Sequence, residues 1–488
     1  MAQPALEPAR RASQLRRLRA KLAAYPVFGV PQRSNGDEAR YAQRSYIGSF
    51  AKGLAHGALG LPDPAGYRAY LRAIATGTQR ALDAIPSPFL RGLVAGVLNL
   101  DYAYEGDDAT QFALPAAPAL ASAATAAETV ELYWAALARD VPFSHYDDDA
   151  TVAAACRELT ALTACTAPRS GGAVTPQLIF RGWGAALRGP LLSQFYWIDV
   201  ARDPLAAAPQ QLHFSLRGHD FMTQREEFVA LQERPLIAKA DRAHSACYMY
   251  SMRCLADCLG RSSAEAVFAN ALAFIGGLPS VQPFFDPVLV RELAAGAQVL
   301  AGRATFFQKL LVHRRVRPEA VGWLVDLTRR GHEMPLHPTL LHARAVDAVE
   351  RRHGTALLPQ AYPGGCPPHP SYPAAHSGIA GAVVTILKAF IVDDAPFPDP
   401  VTASNDGSAL GEYHGAGLTL GGELDKLAMN FAFGRTGAGV HFRSDNHQGL
   451  LLGEAVALSL LRDRAAAMPR LGGRFSVRTF DGRTVRVA

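Results

Sequence analysis

The run from Ser377 to Phe390, Ser-Gly-Ile-Ala-Gly-Ala-Val-Val-Thr-Ile-Leu-Lys-Ala-Phe, most limits what this chain can become. Ile379, Val383, Ile386, Leu387 and Phe390 recur at helical spacing, so the segment reads as an amphipathic helix. Gly378, Ala380, Gly381 and Ala382 are small and let a second helix approach closely. Pro373 restricts the chain just before the helix opens. His376 therefore stands at or near a helix N-terminus, where unpaired N–H groups and the helix dipole favour an anion.

Two other stretches deliver charge to helix ends. In Lys309-Leu-Leu-Val-His-Arg-Arg-Val-Arg317-Pro318, the lysine and the last arginine are eight residues apart, which on a helix puts them on one face. Pro318 is expected to stop that helix. In Phe433-Gly-Arg435-Thr-Gly-Ala-Gly-Val-His441-Phe-Arg-Ser-Asp445, the motif follows a stripe of Leu424, Leu427, Ala428, Phe431 and Ala432. It precedes a second stripe, from about 448 to 464, carrying Leu451, Ala455, Leu458 and Leu461. Two arginines, a lysine and two histidines would meet. Fixed positive charge, an imidazole that moves a proton and a second that bonds to a central atom suit a tetrahedral oxyanion.

The order Lys, seven residues, Arg-Pro; Pro-x-Tyr-Pro-x-x-His; Arg, five residues, His-x-x-x-Asp resembles the vanadium-dependent haloperoxidases. These share their site with the type-2 phosphatidic acid phosphatases. The likeness is densest over 300–465 and extends through Gln448-Gly-Leu-Leu-Leu-Gly-Glu454. Gly189-Pro-Leu-Leu-Ser-Gln-Phe195 also looks like the family; lining a channel or a subunit contact are both open roles for it.

The resemblance implies vanadate as cofactor, with His441 bonded to vanadium. Lys309, Arg317 and Arg435 would neutralise its oxygens, and His376 would serve as acid–base. It implies hydrogen peroxide, a halide and a small organic acceptor as partners. A d⁰ vanadium acts as a Lewis acid and makes peroxide oxygen electrophilic toward halide. His369 matches the position that is histidine in bromoperoxidases, which implies bromide over chloride; its plainer role is to cap the loop before Pro370. Where the family often has Ser-Gly, this chain has Ala374 and Ala375. The N–H of Ala375 remains as a donor, but a hydroxyl worth ~0.5–1.5 kcal/mol is gone. Phe306 stands where several members have tryptophan. Asp445 is expected to orient His441 or pair with a site arginine, or else to cap a helix. His313, one turn from Lys309, faces the site or the core. A phosphatase with His441 as nucleophile and His376 as leaving-group acid fits the same residues. So does a non-catalytic oxyanion binder.

The expected fold is all-α: helical bundles in two four-helix-bundle-like halves, with a small C-terminal β-hairpin over 475–487 around Asp481-Gly482. An N-terminal helical region, 1–300, with the extended arm, would precede a vanadate-binding bundle, 301–488, the two expected to join as one compact body. Residues 1–24 read as a solvated helix, 26–41 as an extended arm, and 122–139, 150–165 and 225–262 as helical. The polar loop 393–417 is placed at the rim of the site.

With 49 basic and 43 acidic residues the net charge is +6, and no nucleic-acid motif is present. No stretch is long and apolar enough to span a membrane. Cys254 and Cys258 are one helical turn apart, but no second pair or histidine cluster accompanies them, so free thiols are expected. The N-terminus lacks a signal-peptide run, which points to the reducing cytoplasm. The resemblance implies at least a homodimer.

Overall fold

The computed structural model describes residues 17, 29–98, 105–198, 210–235, 240–261, 264–467 and 475–487. Apart from residue 17, the helix expected over 1–24 lies outside them, as does the start of the 26–41 arm. From 29 the chain runs extended, then turns through a one-turn helix, Asp37–Arg40.

The helix Ala375–Lys388 is the hub. Nearly all of it is buried, and it packs against Pro287–Phe307, Leu420–Gly437 and Arg443–Ala467. These four helices form the C-terminal bundle. The small residues at its start do what small residues allow. A Cβ on Gly453 would lie 2.0 Å from the Gly378 carbonyl oxygen, one on Gly381 2.3 Å from that of Leu450, and one on Gly449 2.6 Å from that of Ala374. The two backbones therefore touch, and side chains at the helix ends are brought within reach of one another.

A second group of helices is centred on Ala123–Leu137, capped by Ser122, which accepts from the Thr125 N–H. It packs against Ala150–Ala161, Pro318–Arg329, Arg344–His353 and the Leu420–Gly437 helix. Buried Trp134 donates to Glu158 at 2.7 Å. A smaller core of Phe50, Tyr67, Tyr70, Leu90 and Val94 lies beside Leu310. The tail pairs Phe475–Arg478 with Thr484–Val487, burying Phe475 and Val477, and Gly482 supplies the positive φ of the turn. No described helix is long and apolar enough to cross a membrane.

Several expectations change. The segment 225–262 holds two separate helices, Arg225–Glu233 and Met252–Arg261, and the described residues 240–251 between them are not helical. The 393–417 loop contains a strand pair, Val401–Ala403 with Leu410–Glu412. The strand pair meets Gln194, and the Gly407 carbonyl accepts from the Tyr248 N–H. Ser193 and Gln194 dock on the Leu420–Gly437 helix, with Ser193 Oγ donating to the Glu423 carbonyl and the Gln194 N–H to its carboxylate, both at 2.8 Å.

The largest correction concerns Lys309 and Arg317, which do not share a helix. The chain winds as a π-helix over Gln308–His313 and breaks at Arg314, whose φ is 41°. Arg314 is tied by a two-pronged bond to Glu38. Residues 315–317 run extended, bonded to the chain at Gly48 and Ser371. In extended chain alternate residues share a side, so Arg315 and Arg317 both turn inward. Pro318 then opens the helix Pro318–Arg329 at its first position, where proline's missing N–H costs nothing.

Candidate oxyanion site

Five side chains named from the sequence converge. Lys309, Arg317, Arg435 and His441 are buried, each at most 3% exposed, and His376 is half-buried. Arg435 arrives in the last turn of Leu420–Gly437. His441 lies in the turn before Arg443–Ala467. His376 is the second residue of Ala375–Lys388, with Ala374 as N-cap.

Each cation spends its donors on neutral acceptors. Lys309 Nζ donates to the carbonyls of Pro370 (2.6 Å) and Ser371 (2.8 Å), which leaves its third N–H. Arg317 donates through Nε to the His369 carbonyl (2.7 Å), through Nη1 to the Val440 carbonyl (2.8 Å) and His441 Nε2 (3.0 Å), and through Nη2 to His369 Nδ1 (2.9 Å). Arg435 Nη1 donates to the Tyr362 hydroxyl at 2.9 Å, its guanidinium lies 5.0 Å over that ring, and its buried Nε has no partner among the described residues.

Asp445 sets the direction of His441. Its Oδ2 accepts from His441 Nδ1 at 3.0 Å, so the Nε2 lone pair faces the cations. The same carboxylate accepts from the Phe442 N–H at 3.0 Å, a reach back over the helix start. Asp445 thus orients His441 and pairs with an arginine, Arg315; it is the third residue of Arg443–Ala467 and not its N-cap. It also accepts from Ser371 Oγ.

Burial and the neighbouring charges lower the pKa of His441, His376, His369, Lys309 and Arg317. Burial first, then Arg317, Lys309 and Arg435, holds His441 well below the usual imidazole range. His376 is pushed down by burial, Arg435 and Lys309, against a hydrogen bond with the Leu259 backbone. Burial, Arg317 and Lys309 lower His369 too. Lys309 falls well below the ordinary ammonium value through burial and Arg317, with Asp445 opposing. Burial brings Arg317 down to about 10. Crowded cations that depress each other mark a place with a deficit of negative charge, and an anion there relieves all of them.

The open donors lie where such an anion would sit. The first turn of Ala375–Lys388 leaves the N–H groups of Ala375, His376 and Ser377 without an intrahelical acceptor. Ala374 differs: its N–H donates to the Asp445 carbonyl at 2.9 Å, and its methyl supplies no side-chain cap. His369 Nδ1 also lies 3.3 Å from the Pro370 carbonyl, and the ring meets Phe306 edge-on at 5.3 Å. His313 turns to the core, against Tyr372 at 4.6 Å.

Four supporting residues escaped the sequence reading. Arg315, visible only as part of a basic run, bridges Asp445 (2.8 Å) and Glu128 (3.1 Å) and lies 4.1 Å over the Phe442 ring. Glu128 and Tyr362 sit far away in sequence and carry no local signal. Lys52 pairs with Glu319 at 2.8 Å and donates to the Gly364 and Cys366 carbonyls, holding the loop that leads to His369.

Comparison with known proteins bears on the family of the chain. Residues 343–467 match the family model described as the VCPO second helical-bundle domain. A vanadium-dependent bromoperoxidase of Ascophyllum nodosum is 30% identical over 90% of this chain and 86% of its own length. One from Corallina pilulifera is 29% identical over 94% of this chain and 95% of its own length. The homohexameric structure of a second vanadate-dependent bromoperoxidase from Ascophyllum nodosum superposes with a TM-score of 0.88, covering 100% of this chain and 94% of that one at 23% identity. With the helical bundle, the converging cations and this extent of identity in hand, the chain belongs to the vanadium-dependent haloperoxidases, a family of peroxidase oxidoreductases.

Proposed function

We propose that the protein binds vanadate in this pocket and uses it to oxidise halide with hydrogen peroxide, with bromide preferred to chloride. The observation that carries the reading is the set of three buried cations bonded only to neutral groups, around an imidazole whose Nε2 lone pair is turned toward them and accepts from Arg317. The donor set fits a compact, multiply charged oxyanion: Lys309, Arg317 and Arg435 for its oxygens, His441 Nε2 for the central atom, and the Ala375 N–H at the helix start. Ala374 contributes backbone position and no hydroxyl. Bound there, vanadate supplies a Lewis acid that activates peroxide without changing oxidation state.

The chain's own work is to hold and move charge. His376, kept neutral by its surroundings, accepts a proton from incoming peroxide and returns it as the oxidised halide leaves. His369 stays neutral and pinned on Arg317, shaping the approach for the larger, more polarisable halide. The described part of residues 1–300 frames the pocket, and the described part of 301–488 supplies its cations and histidines. The relative named as a homohexamer supports a homo-oligomer here, with the number of subunits left to light scattering.

The test is a pair of halogenation rates on vanadate-loaded protein, with bromide and with chloride, at neutral pH. Bromination well ahead of chlorination supports the reading; equal rates refute the halide preference. Hydrolysis of a phenyl phosphate with no halogenation of either kind refutes the peroxidase assignment.

A further inference from the structure

The helix Ala123–Leu137 meets the back of the oxyanion pocket through two carboxylates, Glu128 and Glu131. On a helix that spacing puts them on one face, and both are buried. Both close on the opening turn of Arg443–Ala467, just after His441. Glu128 Oε1 accepts from the Ser444 N–H at 2.7 Å, one of the donors that a helix start leaves without an intrahelical partner. Its Oε2 accepts from Ser444 Oγ at 3.0 Å and from Arg315 Nη2 at 3.1 Å. Glu131 takes Arg443 instead, which donates from Nε at 2.9 Å and from Nη2.

The two carboxylates differ in what lies beyond them. Arg315 Nη1 donates to Asp445 Oδ1 at 2.8 Å, and the other oxygen of Asp445 holds His441 Nδ1 at 3.0 Å. An unbroken line of hydrogen bonds therefore runs from Glu128 through Arg315 and Asp445 to His441. The Arg315 charge is shared between two carboxylates. Less of it is drawn onto Asp445, and more of that carboxylate's acceptor strength remains for the imidazole N–H. Arg443 has a different surrounding: beyond Glu131 it donates to the Arg181 carbonyl at 2.8 Å and lies 4.6 Å over the Phe433 ring. Among the described residues, none of its side-chain bonds goes to Asp445 or His441.

We propose, on the oxyanion reading above, that Glu128 is a positioning residue for the histidine that anchors vanadate. By sharing Arg315 it leaves Asp445 to hold His441, and by taking the Ser444 N–H it fixes the turn that carries Asp445. Glu131 holds the same helix start without reaching His441.

The experiment is calorimetric titration of full-length, metal-free protein with orthovanadate, beside urea unfolding of each variant. Glu128→Gln keeps the shape and removes the charge. Its single acceptor oxygen serves the Ser444 N–H or Arg315, not both, and Arg315 then leans wholly on Asp445. Loss of a direct partner of a metal-binding histidine costs ~10–100-fold in affinity; acting through Arg315 and Asp445, this change should weaken vanadate binding by about 3–10-fold. Glu131→Gln breaks a buried ion pair on the same helix, so it should lower the urea midpoint and leave vanadate affinity unchanged. Glu128→Gln combined with Arg315→Gln returns the three side chains to their wild-type net charge and removes the pull on Asp445. That double variant should bind vanadate more tightly than Glu128→Gln, or as the wild type does if the single variant does not fold. Glu128→Gln that binds as tightly as the wild type overturns the proposal. So does an equal loss of affinity in Glu131→Gln, the result of a helix start that merely loosens, and so does a double variant no better than Glu128→Gln or, without the single variant, weaker than the wild type by about tenfold or more. Wild-type protein that binds no vanadate overturns the oxyanion reading along with it, whereas wild-type binding beside an unmoved Glu128→Gln overturns the role of Glu128 alone.

Discussion

Asp445→Asn removes one charge from the wall of the pocket while keeping its shape, and its consequences divide into two measurable parts. In the wild type Oδ1 accepts from Arg315 Nη1 at 2.8 Å, while Oδ2 accepts from His441 Nδ1 and the Phe442 N–H, both at 3.0 Å, and from Ser371 Oγ. An amide has one acceptor oxygen. Turned toward His441 it keeps three bonds and sets its NH₂ against the Arg315 guanidinium. Breaking a buried ion pair costs ~3–5 kcal/mol when the partner charge is stranded. Here Glu128 still holds Arg315 at 3.1 Å, so a smaller loss, about 2–3 kcal/mol, is expected. Urea unfolding checks this as a lower midpoint at unchanged slope. The second part is affinity. A neutral amide holds the His441 N–H less firmly than a carboxylate, and loss of such support weakens a metal site by ~10–100-fold. Calorimetric titration of metal-free protein with orthovanadate reads it. An Asp445→Asn variant that binds vanadate as tightly as the wild type refutes the reasoning, whatever its stability.

Other expectations follow from single contacts. Ala374→Ser restores a side-chain cap where the helix has none; it should raise stability by ~1 kcal/mol, seen as a higher urea midpoint, and tighten vanadate binding several-fold by adding a donor. Gly453→Ala drives a methyl to 2.0 Å from the Gly378 carbonyl oxygen. With backbone on both sides, little can yield, so a loss of ~3 kcal/mol is expected, and thermal melting would show it. Glu454, whose carboxyl burial raises to about 7, accepts from the Phe480 N–H at 2.7 Å. The folded form thus holds its proton to higher pH than the unfolded chain does. Its stabilisation is complete below about pH 4.5 and drains away as pH rises through 7, by ~2 kcal/mol after allowing for its partial exposure. Glu454→Gln should flatten stability across that window; an unchanged slope contradicts the assignment.

Much of the pocket was legible because its parts sit at helix ends, and helix ends carry local signals. His376 followed from Pro373 and the apolar run behind it. Arg435 and His441 followed from stripes on either side of their motif. Ser122 and the terminal hairpin were readable for the same reason: a cap and a Gly turn act within a few residues. The Lys309–Arg317 step failed on its mechanism. Eight residues suited one helical face, yet a π-turn and a left-handed Arg314 replaced the helix, and Arg314 is held there by Glu38, which no local pattern reveals. The lysine and arginine still reach the same pocket, because the chain beyond Arg314 runs extended and turns Arg317 inward. Glu128, Tyr362 and Lys52 were invisible for a related reason. Their roles exist only after distant elements pack, and a buried carboxylate on a helix reads in sequence as a solvated one.

The central claim is that His441 anchors vanadate among Lys309, Arg317 and Arg435 and that this makes the protein a haloperoxidase. It is tested most directly by peroxide-dependent bromination of monochlorodimedone on protein stripped of metal and titrated with orthovanadate, wild type beside His441→Ala. The account predicts no bromination before vanadate is added, activity that saturates with it, and its loss in His441→Ala at the same vanadate concentrations. Absence of bromination at saturating vanadate, or full activity in His441→Ala, would contradict it.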